Sequence, residues 1–255
     1  MLSRRDERLL RSLRQRKTRE AEGLFLAEGV RAVEDLAASA LPVRFALAAS
    51  TLGDTARGRA LLGLLAMKGV AVHETDGREI AAFADTETPQ GILAVARTPS
   101  AGLDDLAVDA EPSVIVVLDA VQDPGNFGTL ARTAEALGAA GLVALPGTVD
   151  PWNPKSVRAA MGSTFRLPVV PVDWDTLAPW LSSRGFRTLA AAAGGEPLPD
   201  PRPARAALVL GNEGAGISDE TRARAHRVVG IPIRGRAESL NVAAAGAILL
   251  YELLR

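Results

Sequence analysis

Short apolar runs alternate with amphipathic stretches along the whole chain, and the spacing of the apolar positions predicts strands and helices in turn. In the first half, the pattern predicts a helix over 3–16, a strand and then a helix within 24–38, strands over 43–49, 69–72 and 91–96, and helices over 57–67 and 79–83. Strands and helices alternating at this spacing indicate a small α/β domain.

The second half begins with a continuous apolar run at 113–118, which is typical of a strand buried on both faces of a parallel sheet. Further strands are predicted over 141–145, 167–172, 187–192, 206–210 and 227–231, with helices over 126–137, 155–161, 174–183, 219–225 and 240–254. This order predicts an open, mostly parallel α/β sheet of about five or six strands.

The segment 99–112 separates the two halves. It is rich in proline, glycine and acidic residues and has little that could pack, which is typical of a linker. The chain has 255 residues, enough for two modest domains, and its hydrophobic content of 47% allows a sizeable core. We therefore expect domains over 1–98 and 113–255, joined by a linker over 99–112.

Composition excludes several classes of protein. No apolar run reaches about eighteen residues, so no membrane span is expected, and no apolar signal core follows the basic N-terminus. The chain contains 0 cysteines, which excludes disulfides, thiolate nucleophiles and cysteine-based zinc sites. These features fit a cytoplasmic protein.

The net charge of −1 gives no nucleic-acid signature for the whole chain, but its N-terminus is strongly basic. Between residues 4 and 19 the only acidic residues are Asp6 and Glu7. The basic residues in this segment are Arg4, Arg5, Arg8, Arg11, Arg14, Arg16, Lys17 and Arg19. Such a stripe can neutralise RNA phosphates, or it can simply be the solvated face of a helix.

Three polar or glycine-rich loops follow predicted strands of the second half, where open α/β sheets bind their ligands. The first leads to Asn126 and Arg132, which could also be a helix cap and a surface arginine. The second runs from Gly211 to Gly216 and could be a plain turn. It lacks the order of glycines of a dinucleotide-binding loop and the lysine of a P-loop. The third, over 231–242, holds two arginines, an acid, a hydroxyl and an amide before an alanine-rich helix.

These loops resemble the three motifs of the SpoU/TrmH RNA ribose methyltransferases of the SPOUT superfamily. The resemblance lies in Asn126-x-Gly128-x-x-x-Arg132, in Leu210-Gly211-x-Glu213-x-x-Gly216, and in the stretch from Ile231 to Val242. The segment 153–163 is similar to the family's segment between the first two motifs. Less specific similarity to the family's L30e-like substrate-binding domain covers about 18–98, in the segments 25–29 and 88–92.

The resemblance implies S-adenosylmethionine-dependent methylation of a ribose 2'-hydroxyl in structured RNA, with ribosomal RNA favoured over transfer RNA. It also implies a trefoil knot in the C-terminal domain, a homodimer with its sites at the subunit interface, and no metal. The implied catalytic residues are Arg132, Asn126, Glu213, Ser239 and Asn241. The implied donor-binding residues are Leu189, Ala190, Ala191, Gly211, Asn212, Ile231, Ile233, Ser239 and Leu240, and the expected RNA-binding residues are Arg4, Arg5, Arg8, Arg11, Arg16, Lys17 and Arg19.

Several alternatives stay open on the sequence. Arg132 could act as a base whose pKa is lowered in the assembled complex, or as a cation that stabilises the developing alkoxide, since a free guanidinium does not lose its proton near neutrality. The chain could methylate transfer RNA, methylate a base, or bind RNA without catalysis. A nucleotide-dependent oxidoreductase is the most distant alternative, because the second loop lacks the dinucleotide fingerprint.

Overall fold

The computed structural model describes residues 2–255. As far as residue 97 its helices and strands are α1 (Arg4–Ser12), α2 (Arg16–Glu22), β1 (Leu24–Glu28), α3 (Val30–Ala38), β2 (Val43–Ala49), α4 (Ala56–Met67), β3 (Val72–Thr75), α5 (Gly77–Phe83) and β4 (Ile92–Arg97). From residue 113 they are β5 (Ser113–Asp119), α6 (Pro124–Leu137), β6 (Gly141–Ala144), α7 (Pro154–Ala160), β7 (Val169–Pro171), α8 (Trp174–Ser183), β8 (Arg187–Glu196), β9 (Arg205–Gly211), α9 (Asp219–Arg224), β10 (Arg227–Val229) and α10 (Val242–Leu254).

The chain divides into two compact units. The first contains the residues up to Ser100 together with Asp150–Phe165, and the second contains Ala101–Val149 and Arg166–Arg255. The segment 150–165 therefore packs with the first unit, although it lies inside the stretch 113–255 that the sequence analysis treats as one domain. No helix between residues 2 and 255 is both long and apolar enough to cross a bilayer.

The first unit is built on a mixed sheet in the order β1-β4-β2-β3, in which only β2 and β3 are parallel. All five residues of β1 are buried, because helices cover both faces of the sheet. Phe25 and Ala27 belong to one apolar cluster, and Leu24 and Leu26 to the other. The alternation along β1 thus supplies two cores at once.

The segment 150–165 joins the first of these cores through its aromatic side chains. The rings of Trp152 and Phe165 lie 4.7 and 5.7 Å from the ring of Phe25. The carboxylate of Asp150 accepts hydrogen bonds from the buried guanidinium of Arg19. Apolar burial and an ion pair together explain why this segment packs with a unit so distant in sequence.

The basic N-terminus forms two helices where the sequence analysis predicts one over 3–16. Ser3 caps α1 by accepting from the backbone N–H of Asp6, and the leucine stripe is buried at Leu9, Leu10 and Leu13. The chain leaves the helix after Leu13, and α2 begins at Arg16. The apolar stripe of α1 ends at Leu13, and no further apolar residue follows that would have to be buried by continuing the helix.

Two residues of the first unit that carry the family resemblance organise one of its loops. The carboxylate of Glu28, at the end of β1, accepts from the backbone N–H groups of Asp85 and Thr86 at 2.8 and 3.2 Å. The side-chain oxygen of Gln90 accepts from the N–H of Val30 at the start of α3. Both side chains satisfy backbone donors that would otherwise lack partners.

The second unit is a six-stranded parallel sheet in the order β10-β8-β9-β5-β6-β7. Every residue of β5 is buried, which confirms the prediction of a strand covered on both faces. On one face, α10 packs on α6 so closely that a Cβ atom at Gly246 would lie 2.5 Å from Leu130. The predicted parallel α/β sheet is confirmed. The trefoil knot stays a prediction.

Candidate functional site

The three loops singled out in the sequence lie at the carboxyl edge of neighbouring strands. The first follows β5 and enters α6, the second follows β9, and the third runs from the end of β10 to α10. Because β10, β8, β9 and β5 are consecutive in the parallel sheet, their ends meet at one edge. The fold therefore gathers residues that are up to 115 positions apart in sequence.

A chain of hydrogen bonds connects one side chain from each loop. The amide nitrogen of Asn126 donates to the carboxylate of Glu213 at 3.0 Å, and the amide oxygen of Asn126 accepts from the amide of Asn241 at 2.9 Å. Glu213 also accepts from the backbone N–H groups of Gln122 and Asp123. Asn126 of the first motif therefore links the second motif to the third.

The carboxylate of Glu213 is the acceptor at the centre of this network. Partial burial tends to raise the pKa of Glu213, but the hydrogen bonds from Asn126, Asp123 and Gln122 outweigh it and bring that pKa below its ordinary value. Glu213 is therefore ionised at neutral pH. As a fixed anion it holds the first loop against the second and orients Asn126.

The side chain of Asn126 is free for this role because another residue caps the helix. Asp123, not Asn126, is the N-cap of α6 and accepts from the backbone N–H of Asn126 at 2.8 Å. Pro124 occupies the first turn, where its missing N–H costs nothing. In the third loop, Asn241 does cap α10, by accepting from the N–H groups of Ala243 and Ala244.

The second loop closes tightly on itself. The amide oxygen of Asn212 accepts from the N–H groups of Gly214 and Ala215, and its amide nitrogen donates to the carbonyl of Ala120 in the first loop. A Cβ atom at Gly211 would lie 2.3 Å from the carbonyl carbon of Gly216. Glycine is required here because the loop's own backbone approaches Gly211, which is a different reason from approach by a ligand.

A cavity of about 440 Å³ opens between the second and third loops and the start of α10. Its lining combines small residues, which leave backbone N–H and C=O groups accessible, with a few polar side chains. The lining residues are Ala191, Ala192, Ala193, Leu210, Gly211, Asn212, Glu213, Gly214, Ala215, Gly216, Val229, Gly230, Ile231, Ile233, Ser239, Leu240, Asn241, Val242, Ala245 and Leu249. The size and lining fit a nucleoside-sized ligand.

Most residues expected at the donor line this cavity, but two do not. Leu189 and Ala190 are buried inside the sheet, where they pair with Leu208 and Val209 of β9. They do not line the cavity, because β8 continues beyond them to Glu196 and its later residues reach it, so their contact with the donor stays a prediction. The cavity wall at β8 and β10 is instead lined by Ala192, Ala193 and Gly230, which the sequence analysis does not name. Placing the end of β8 at Glu196 would have pointed to the first two.

Arg132 stands apart from the cavity. Its side chain is exposed on α6, does not line the cavity, and makes no hydrogen bond or ion pair within residues 2–255. The structure of one chain therefore brings Asn126, Glu213 and Asn241 together and leaves Arg132 outside that group. Ser239 lines the cavity beside Asn241.

The basic N-terminal residues are exposed with one exception. Arg4, Arg5, Arg8, Arg11, Arg14, Arg16 and Lys17 face solvent, and Arg16 pairs with Glu20. The side chain of Arg19 is only 4% exposed, and besides Asp150 it donates to the carbonyls of Leu13 and Arg14. The assignment of Arg19 to the RNA-binding set is corrected, because its guanidinium is fully engaged inside the first unit.

Two family models together match most of the chain. The SpoU rRNA Methylase family matches residues 113–251, and the MRM3-like substrate binding domain matches residues 8–94. A 23S rRNA (guanosine(2553)-2'-O)-methyltransferase, RlmP, of Bacillus subtilis is 38% identical over 187 residues, which cover 72% of this chain and 73% of the relative.

Two further comparisons extend over nearly the whole chain. A 23S rRNA (uridine(2479)-2'-O)-methyltransferase of Streptomyces viridochromogenes is 32% identical over 94% of this chain and 85% of its own length. The crystal structure of the SpoU methyltransferase AviRb from Streptomyces viridochromogenes, in complex with AdoMet, matches with a TM-score of 0.87 and 29% identity. That match covers 99% of this chain and 97% of the other.

Proposed function

Since the chain belongs to the SpoU rRNA methylase family, we propose that it transfers a methyl group from S-adenosylmethionine to a ribose 2'-hydroxyl of ribosomal RNA. The observation that carries the proposal is the hydrogen-bonded group of Asn126, Glu213 and Asn241 beside the cavity. Three separate loops converge to hold these side chains in one arrangement, as a site that must orient a reacting group requires.

The cavity fits the donor by its chemistry. Ala191, Ala192 and Gly230 have small side chains or none, which leaves room for an adenine ring, and Leu240 and Leu249 supply apolar surface for its faces. When bound there, S-adenosylmethionine supplies an electrophilic methyl group on a sulfonium. The relative AviRb is described in complex with AdoMet, which supports the same donor here.

Ribosomal RNA is the substrate class that the relatives support. The Bacillus subtilis and Streptomyces viridochromogenes relatives are both named as 2'-O-methyltransferases of 23S rRNA. We therefore favour 23S ribosomal RNA over transfer RNA, and we expect the protein to act in the compartment that holds the ribosomes. An S-adenosylmethionine assay with ribosomal and transfer RNA side by side separates the two substrates.

Methyl transfer needs the 2'-oxygen in line with the methyl carbon and the sulfur. A bond forms from the ribose oxygen to the methyl carbon, the carbon–sulfur bond breaks, and the hydroxyl proton leaves. We propose that Asn126 and Asn241 orient the groups around the ribose and that Ser239 contacts it from the cavity wall. Arg132 would assist loss of the proton, as a base or as a cation beside the developing alkoxide.

The isolated position of Arg132 supports a homodimer. Helix α10 presents an exposed apolar stripe, Ala244, Ile248 and Tyr251, at the spacing of one helix face. Ile248 is 44% exposed and Tyr251 56% exposed. We propose that a second copy of the chain covers this stripe and brings exposed residues of α6, Arg132 among them, into a site shared by two subunits.

A charged residue introduced in the middle of the apolar stripe of α10 should separate the subunits. We expect Ile248→Asp to shift the protein from dimer to monomer in sedimentation experiments, because an unpaired carboxylate would be buried in the interface. Met67→Asp is the matched control, since Met67 is 81% exposed on α4 of the first unit. A dimer that persists in Ile248→Asp would show that α10 does not form the interface.

The exposed arginines of α1 should contribute to RNA affinity and should leave the affinity for S-adenosylmethionine unchanged. For Arg4→Ala/Arg5→Ala/Arg8→Ala, we expect the slope of log affinity against log salt to fall by about 0.7 to 0.9 for each phosphate that is no longer neutralised. Arg57→Ala serves as control, because Arg57 is held by Glu34 on the same unit. Equal slopes for wild type and the triple variant would show that the stripe is only a solvated face.

The direct test of the proposed function uses the purified full-length protein, labelled S-adenosylmethionine and an unmodified transcript of ribosomal RNA. We expect label to enter the RNA and to stay in it as a 2'-O-methylnucleoside after complete digestion. Absence of RNA labelling, with the donor bound, would favour the non-catalytic RNA-binding alternative.

A further inference from the structure

The arginines of the second unit differ in whether a carboxylate holds them. Ion pairs engage Arg166, Arg184, Arg202, Arg205, Arg224, Arg227 and Arg255. The remaining arginines are exposed and have no ion pair within the described residues: Arg132, Arg187, Arg222, Arg234 and Arg236. An exposed guanidinium without an internal partner is available to an external anion.

Two of these free arginines lie in the third loop, directly beside the cavity. The loop lines the cavity at Ile231 and Ile233 and returns to it at Ser239. Arg234 and Arg236 stand between those contacts and do not line the cavity. The loop thus lines the cavity with Ile231, Ile233 and Ser239, and between these residues it carries two exposed cations.

The acidic residue of the same stretch does not neutralise them. Glu238 is exposed and makes no ion pair with either arginine among residues 2–255. The stretch 234–238 therefore keeps a net positive charge. The stretch ends near Asn241, which hydrogen-bonds to Asn126 and caps α10.

We propose that Arg234 and Arg236 bind the backbone phosphates that flank the methylated ribose. The proposal rests on the proposed function. A 2'-hydroxyl that reacts with a methyl group in the cavity must come within about 3 to 3.5 Å of it. Its own nucleotide's phosphates then lie just outside the cavity, where the third loop presents these arginines. The planar guanidinium group matches two phosphate oxygens at once.

The experiment compares four full-length proteins on a transcript of 23S ribosomal RNA. They are wild type, Arg234→Ala/Arg236→Ala, Arg234→Lys/Arg236→Lys, and the control Arg187→Ala/Arg222→Ala. The control removes two arginines that are equally exposed and unpaired, and Arg187 lies at the amino end of β8, away from the cavity. RNA affinity is measured across a range of salt, and donor affinity by calorimetry.

We expect the double alanine variant to lose about 1.4 in the slope of log affinity against log salt, about 0.7 for each phosphate of single-stranded RNA that it no longer binds. The KM for RNA should rise, and donor affinity should match that of wild type. The double lysine variant should keep most of the slope, because it keeps both charges. The control variant should behave as wild type.

Three results would overturn the inference while wild type still methylates RNA. They are an unchanged slope in the double alanine variant, an equal loss in the control variant, and a loss of donor affinity or of the dimer in place of RNA affinity. The last would assign the arginines to the donor or to the partner subunit. A wild-type protein that methylates no RNA would instead overturn the proposed function, and this inference with it.

Discussion

Replacing Arg132 with alanine should slow methyl transfer by about a hundred- to ten-thousand-fold in a single-turnover experiment. This is the usual cost of removing a residue that assists proton transfer. Donor affinity should stay nearly unchanged, because Arg132 does not line the cavity. The matched control is Arg222→Ala, another exposed arginine of the same unit without an ion pair in the described chain.

Whether Arg132 and Asn126 act together in the reaction can be tested in the same assay. Asn126→Ala should also slow transfer, because it breaks the connection between Glu213 and Asn241. If the two residues act as a unit, the double variant should lose less than the sum of the two single effects on the activation free energy. Full additivity, or a wild-type rate for Arg132→Ala, would contradict the role assigned to Arg132.

Adding a single methyl group at Gly211 should weaken donor binding by about ten- to a hundredfold. The Cβ atom of Gly211→Ala would lie 2.3 Å from the backbone of Gly216, so the second loop must move, and that loop forms much of the cavity wall. Overpacking of this kind costs about 1 to 3 kcal/mol, and about 1.4 kcal/mol is a factor of ten in affinity.

Gly102→Ala is the control for this substitution. Gly102 lies in the same unit, and its added Cβ would meet nothing closer than 3.8 Å. Calorimetry with S-adenosylmethionine measures both variants, and circular dichroism shows whether each keeps its fold. Wild-type donor affinity in a folded Gly211→Ala protein would mean that the donor does not bind against the second loop.

The sequence predicts well those features that depend on local pattern. The apolar run of β5 and the helical pattern of α10, predicted over 240–254 and observed over Val242–Leu254, are both local, since each depends on neighbours within a few residues. The predicted start of α6 lies two residues late, although Asp123 and Pro124 carry the usual signals of an N-cap and first turn. Asn126 is an equally good cap by residue type, and only the structure shows that its side chain bonds elsewhere.

Features that depend on distant partners could not be predicted in this way. The burial of Arg19 requires Asp150, a residue 131 positions away, and a string of arginines gives no sign of which one will find such a partner. The packing of Trp152 on Phe25 likewise depends on tertiary contact. The cavity is lined at β8 by Ala191, Ala192 and Ala193, and the strand continues to Glu196, four residues beyond its predicted end at 192, because sequence patterns fix the ends of strands poorly.

The methyl group is expected on a ribose 2'-oxygen of ribosomal RNA. The most direct measurement maps alkali-resistant positions in the ribosomal RNA of cells lacking the gene and of the same cells carrying wild type or Arg132→Ala. A methylated 2'-oxygen cannot attack the adjacent phosphate, so the target position should resist cleavage with wild type and become cleavable without the gene or with Arg132→Ala. If the cleavage pattern is the same in all three, or if the methyl group that is lost without the gene lies on a base, the protein does not methylate a ribose of ribosomal RNA.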